Sequence, residues 1–203
     1  MFKNQILMLL MIILISTGAF AQNKSAGFGI NIAASFDSYK FDGEDWGKER
    51  VIVGGISAFY EVTFVEASIG LMFGNMREVN VGDFGGNVLY GTLGLFGKYP
   101  FSLGMFTLFP MTGIQSDLGV IAYYKVIDGD RDNPERGDFL NRLWIKSGIG
   151  VDNNCSDNVF YRFTFLYGIN FGNTDDWVFK RKTNNFNSFH HGLDFRIAIG
   201  FKF

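Results

Sequence analysis

Downstream of an apolar N-terminus, large apolar residues recur at every second position in one segment after another. The last eleven residues, LDFRIAIGFKF, show the pattern most plainly. Leu193, Phe195, Ile197, Ile199, Phe201 and Phe203 fall on one side of a period-2 strand, while Asp194, Arg196, Ala198, Gly200 and Lys202 fall on the other.

Seven earlier segments repeat this alternation. Residues 26–36 set Phe28, Ile30 and Ile32 against Gly27, Gly29 and Asn31; residues 50–60 set Ile52, Ile56 and Tyr60 against Gly55 and Ser57. Residues 64–74 oppose Ile69, Leu71 and Phe73 to Glu66, Ser68 and Gly70, and residues 87–98 oppose Leu89, Leu93 and Leu95 to Tyr90, Thr92 and Lys98. The fifth segment, 105–124, is longer than the 9 to 11 residues a tilted membrane strand needs, so it either stands out of the membrane or carries a bulge, and Pro110 within it, which cannot donate to a ladder, favours the bulge. Residues 141–152 set Leu143, Ile145 and Ile149 against Trp144, Lys146 and Asp152, and residues 159–171 set Tyr161, Phe163, Phe165 and Tyr167 against Arg162, Thr164 and Gly168.

Connections alternate in length. Polar stretches at 37–49, 75–86, 125–138 and 172–189 follow the odd-numbered segments, whereas only a few residues follow the second, fourth and sixth. This predicts an all-β, eight-stranded antiparallel up-and-down transmembrane barrel, with short periplasmic turns at one end and long extracellular loops at the other. Alternation alone does not fix which face meets solvent, since a soluble lipocalin-like barrel turns its apolar rows inward. Three features favour lipid outside: small residues on the polar faces, more large apolar groups than a narrow lumen holds, and aromatics at the ends of apolar rows.

The N-terminus agrees with export. Lys3, an apolar run over residues 6–15 and Ala19-Phe20-Ala21 form a signal-peptide pattern over residues 1–21, leaving a mature barrel domain of residues 22–203. A run of ten is too short for a spanning helix. Removing Lys3 from 18 basic residues leaves all 20 acidic ones, a net charge near −3 without a basic tract, so nucleic acid is not an expected partner. Cys155 is the single cysteine, which excludes a disulfide framework and places it in a turn. The 26 glycines and 24 phenylalanines suit strands that pack closely on one face and meet lipid on the other.

The terminal FRIAIGFKF, closed by Phe203, is similar to the C-terminal signature read by the barrel-assembly machinery of bacterial outer membranes. With the signal and the eight segments, the chain resembles the small barrels of the OmpA/OmpX/OmpW type. The resemblance implies an outer-membrane location, outer-membrane lipid and the assembly machinery as partners, and Phe203 as part of the assembly signal. KYPF at 98–101 and FPMTGI at 109–114 are loosely similar to OmpW-like barrels, a resemblance that implies uptake of small hydrophobic molecules.

Candidate chemistry lies on the inward faces. Glu66, Lys146, Arg162, Asp194 and Arg196 are expected to form a lumen charge network, with Arg196 and Lys146 paired to Glu66 and Asp194, because an unpaired charge in a narrow barrel costs several kcal/mol. Met72, Phe109, Met111, Trp144 and Leu166 either fill the lumen or contact an apolar ligand. Asp128, Asp130 and Asp132 begin like an EF-hand, but Asn133 replaces its glycine and Phe139 its bidentate glutamate, so an acidic solvated loop is favoured over a looser surface calcium site, and no metal or other cofactor is assigned. Ser188, His190, His191 and Asp194 raise a lipid-modifying enzyme as an alternative, yet alternation places His191 and Asp194 on opposite faces, and no catalytic residue is assigned. The favoured role is structural or surface-interacting, with Tyr39, Trp46 and Trp177 among loop aromatics for an extracellular partner.

Overall fold

The computed structural model describes residues 24–41, 44–79, 84–126, 135–136, 142–173 and 186–203. The signal-peptide segment, Asp128 to Asp132 and Trp177 lie outside them. The described strands are β1 (Lys24–Phe41), β2 (Glu44–Val62), β3 (Val65–Val79), β4 (Phe84–Lys98), β5 (Phe101–Leu103), β6 (Phe106–Val126), β7 (Glu135–Arg136), β8 (Arg142–Asn154), β9 (Val159–Asn173) and β10 (Phe186–Lys202). Their order is β4-β3-β2-β1-β10-β9-β8-β6, and pairing of β4 with β6 closes the sheet. All the ladders are antiparallel. The two-residue β7 adds a rung to β6, and the three-residue β5 extends the wall past the end of β4. Eight strands therefore form a closed up-and-down barrel, the width at which side chains alone fill the interior.

The alternating sequence becomes a two-faced wall. Phe28, Ile30, Ile32, Ile56, Ile69, Phe73, Phe163 and Phe165 point outward and are exposed, whereas Glu66, Arg162 and Phe109 point inward and are fully buried. A soluble barrel places its apolar rows inside, so this polarity excludes the lipocalin-like alternative. Closure also leaves no wall strand with an unpaired edge in a medium that cannot hydrogen-bond it.

Inward aromatics and inward glycines are matched pieces. The Phe109 ring lies over Gly150 and the Phe160 ring over Gly200; a Cβ on either glycine would come within 2.2 Å and 2.1 Å of ring carbons. The glycine-rich polar faces are thus sockets for rings that reach across the lumen.

Three expectations are corrected. Residues 37–49 and 75–86 are not mainly loops: β1 and β2 stay paired to Phe41↔Glu44, and β3 and β4 to Arg77↔Gly85. Likewise β10 begins at Phe186, inside the stretch 172–189 expected as a loop, and its ladder with β1 reaches Phe41↔Phe186. Hydrophobic alternation reports the medium around a strand, while backbone pairing continues past it. The ladder segments holding Tyr39 and Trp46 are therefore strand, not loop. Finally, Pro110 sits in a regular strand and the bulge is elsewhere. Its carbonyl accepts from Tyr99 N at 3.1 Å, so the edge lacking an N–H lies just beyond the last β4–β6 pair, Lys98↔Met111. The register shift on β6 falls instead between the pairs Leu89↔Ile121 and Gly91↔Leu118.

Candidate functional site in the barrel lumen

Each lumen residue is placed by strand parity and by its height along the wall. Nearest the end carrying the Thr63-Phe64 and Cys155–Asn158 turns, Arg162 of β9 is the hub. Its Nε and Nη2 donate to the two carboxylate oxygens of Asp152 on β8, each at 2.7 Å. Nη1 donates to Glu66 of β3 at 2.6 Å, and Nη2 lies 2.8 Å from Glu61 of β2. Arg196 of β10 donates to the other oxygen of Glu66 at 2.5 Å, and Lys98 of β4 reaches Glu61 at 2.5 Å. Planar, bidentate guanidinium contacts of this kind hold direction as well as charge.

Aromatic rings seal this cluster. The Arg162 guanidinium carbon lies 4.5 Å from the Phe59 ring centroid, 4.9 Å from Phe109 and 5.0 Å from Phe160, and Lys98 Nζ lies 4.4 Å from Phe109. Such cation–π contacts favour a desolvated cation, compensating part of what burial removes.

Toward the opposite end, Lys146 of β8 pairs with Asp194 of β10. Trp144 donates its indole N–H to Asp117 at 2.7 Å, and Gln115 donates to the second Asp117 oxygen at 3.0 Å. Arg142 is buried and lines the same cavity as Asp117. Lys98, Arg142, Lys146, Arg162 and Arg196 thus face Glu61, Glu66, Asp117, Asp152 and Asp194, five cations against five carboxylates, with Lys202 exposed at the rim over Phe160. Glu61, Asp117 and Arg142 were not singled out from the sequence. Glu61 reads as part of a turn, and Asp117 and Arg142 sit near strand irregularities where parity is hard to carry.

The apolar candidates divide. Phe109, Met111 and Leu166 pack with Phe96 in one buried cluster, whereas Met72 packs with Val51, Val53 and Val88 in another. Trp144 belongs to neither, being held by Asp117. Between the clusters are cavities of about 30 Å³ and about 20 Å³. A single water needs roughly 10–15 Å³ and a drug-sized ligand about 300 Å³ or more, so these spaces are of water size.

His190 and Asp194 share the inward face of β10, but four residues at about 3.3 Å each set them roughly 13 Å apart along the strand. His191 faces outward between the rings of Phe36 and Tyr167, 5.7 Å and 6.2 Å away. With Asp194 on Lys146, these groups form no triad. Among the described residues no cluster of His, Cys, Asp and Glu has metal-site geometry. Phe203 is exposed, its N–H donates to Lys24 O at 3.0 Å, and its ring lies 6.3 Å from that of Tyr60.

A closed eight-stranded meander, apolar outside and filled by side chains inside, decides the architecture. It is that of the small outer-membrane barrels. The chain is similar to Neisserial surface protein A, with 13% identity and a TM-score of 0.46 over 88% of this chain and 99% of that one. It is also similar to OprG from Pseudomonas aeruginosa (11%, TM-score 0.49, 90% and 96% covered) and to Ail of Yersinia pestis (13%, TM-score 0.41, 89% and 98% covered). No family model and no curated protein matches the sequence.

Proposed function

We propose that this chain is an outer-membrane barrel with a closed lumen and a structural or surface-interaction role rather than a catalytic one. The observation that carries the reading is the Arg162 cluster: a guanidinium held by three carboxylates and enclosed by three rings occupies the cross-section near one end. The water-sized cavities support it, because beside Met72, Trp144 and Leu166 they have room for water and not for an organic ligand. In this reading the short turns face the periplasm and the paired hairpins beyond the apolar band project outside the cell.

Reconstitution into planar bilayers tests the lumen. No steady single-channel conductance is expected, and titration with small hydrophobic compounds is expected to leave the Trp144 contribution to fluorescence, isolated with a Trp144→Phe control, unquenched. A large steady conductance overturns the closed lumen; saturable quenching lost in the control establishes a binding barrel instead.

Phe203 belongs to the same proposal as part of the assembly signal. Its ring is exposed to lipid and contacts only the rim, so Phe203→Ala is expected to reduce the yield of inserted, heat-modifiable barrel in cells while barely changing the stability of barrel refolded in detergent. Equal losses in both assays assign Phe203 to packing alone.

A further inference from the structure

Of the connections at the turn end, the one between β4 and β6 is unlike its neighbours. The β2–β3 connection is two residues, Thr63-Phe64, and the β8–β9 turn is polar, Cys155-Ser156-Asp157-Asn158. Between β4 and β6 the chain instead builds a projecting hairpin, with Phe101↔Leu108 and Leu103↔Phe106 paired and Gly104 at φ 69° making the tight turn. Leu103, Met105, Phe101 and Phe106 are all exposed.

The side on which these residues lie is informative. Outward positions on β4 and β6 continue without interruption into the hairpin: Tyr99 beside Pro110, then Phe101 beside Leu108, then Leu103 beside Phe106. Ser102 and Thr107 are paired on the inward side. The hairpin keeps the polarity of the lipid-facing wall, apolar out and polar in, after the adjacent β2–β3 connection has ended. Rings join the two surfaces, since Phe64 stacks on Tyr99 at 6.0 Å and Tyr99 meets Phe101 edge-on at 5.0 Å. A turn bathed in water has no need of one-sided apolar faces.

The geometry points to a lipid anchor: the β5–β6 hairpin lies in the headgroup and upper acyl zone of the adjacent leaflet, with Phe101, Leu103 and Phe106 on lipid. Among the described residues no strand lies beside the outer edge of β5, because β3 turns back at Val65. Unpaired edge groups are costly in hydrocarbon but are hydrated among headgroups, which sets the hairpin at the interface rather than deeper. The hairpin tip stands level with the polar Cys155–Asn158 turn, since Phe106 pairs with Asn153 and Asn154 N donates to Met105 O at 2.9 Å, so the two differ in chemistry at one height and the barrel rests on lipid at its β4–β6 side. This inference rests on the membrane placement of the barrel, and its test separates the two.

Nitroxide labels are placed one at a time in the full barrel reconstituted in phosphatidylcholine vesicles. Native Cys155, exposed in the polar turn at the height of the hairpin tip, is the reference for a residue that does not lie on lipid. In a Cys155→Ser background, Ile56→Cys reports the wall and Leu103→Cys the hairpin. Collision with oxygen, which partitions into lipid, is compared with collision with a water-soluble nickel chelate. The expected oxygen preference at Leu103 is severalfold above that at Cys155 and below that at Ile56. A Leu103 label that matches Cys155 while Ile56 reads lipid overturns the anchor alone. Dipolar broadening at Leu103 with both reagents excluded assigns the hairpin to a second copy and also overturns it. An aqueous signal at Ile56 removes the membrane placement and the anchor together.

Discussion

Replacing Arg162 by methionine is expected to destabilise the barrel by about 3–5 kcal/mol, the cost of breaking a buried ion pair by removing one partner. Asp152, Glu66 and Glu61 all rest on this guanidinium, and after its loss only Lys98 and Arg196 remain to face three buried carboxylates. Methionine fills much of the same space between Phe59, Phe109 and Phe160, so the loss reports charge rather than a void. Arg162→Lys keeps the charge but not the fork that grips Asp152 through two hydrogen bonds, and should fall between the two. Urea unfolding in phospholipid vesicles, followed by heat-modifiable gel mobility, measures both variants. A loss for Arg162→Met below ~1 kcal/mol, the scale of an exposed ion pair, shows that water reaches the cluster and that it does not block the lumen.

The second large effect is expected from a small substitution. Gly150→Val places a Cβ 2.2 Å from ring carbons of Phe109, a side chain with no exposed surface and cations against it. Overpacking costs about 1–3 kcal/mol in general, and here displacing the ring also disturbs Lys98 and Arg162, so the upper end of that range is expected. Valine is otherwise favoured over glycine in a strand, which makes the sign diagnostic. Truncating the ring should rescue the clash: in Gly150→Val with Phe109→Ala, the combined loss should be smaller than the sum of the single losses by about 0.5–3 kcal/mol, as for contacting residues. Strict additivity in the same urea titrations means that ring and glycine do not share one space.

Much of the fold was legible because a membrane imposes period-2 alternation along each strand. The rows led by Phe28, Ile69, Phe163 and Phe195 face out as that alternation predicts. What lies beyond the apolar band was misread for the same reason: once a strand leaves lipid its side chains need not alternate, so the ladders through Asp37↔Glu49 and Phe41↔Phe186 looked like loops. In the lumen, sequence identified Glu66, Lys98, Lys146, Asp152, Arg162, Asp194 and Arg196 as inward charges but not Glu61, Asp117 and Arg142, which complete their balance. Glu61 was hidden at a strand end, and the shifts near Gly91 and Trp144 obscured which residues of β6 and β8 stand level. Whether Phe109 and Leu166 border a void was not legible at all, because cavity size depends on rings from several strands and on the glycines beneath them.

The connectivity of the Arg162 cluster bears on the order of events during folding. Glu66 is 96 residues from Arg162 and 130 from Arg196 in sequence, so its contacts join β3 to β9 and β10 across the lumen. A partly inserted sheet can form every neighbouring hairpin and still leave this carboxylate facing water. Only when β1 meets β10 and the cylinder shuts do the three strands stand at the right distances. The cluster is therefore expected to act as a latch formed on closure, its stabilisation appearing as slower opening of the seam more than as faster closing.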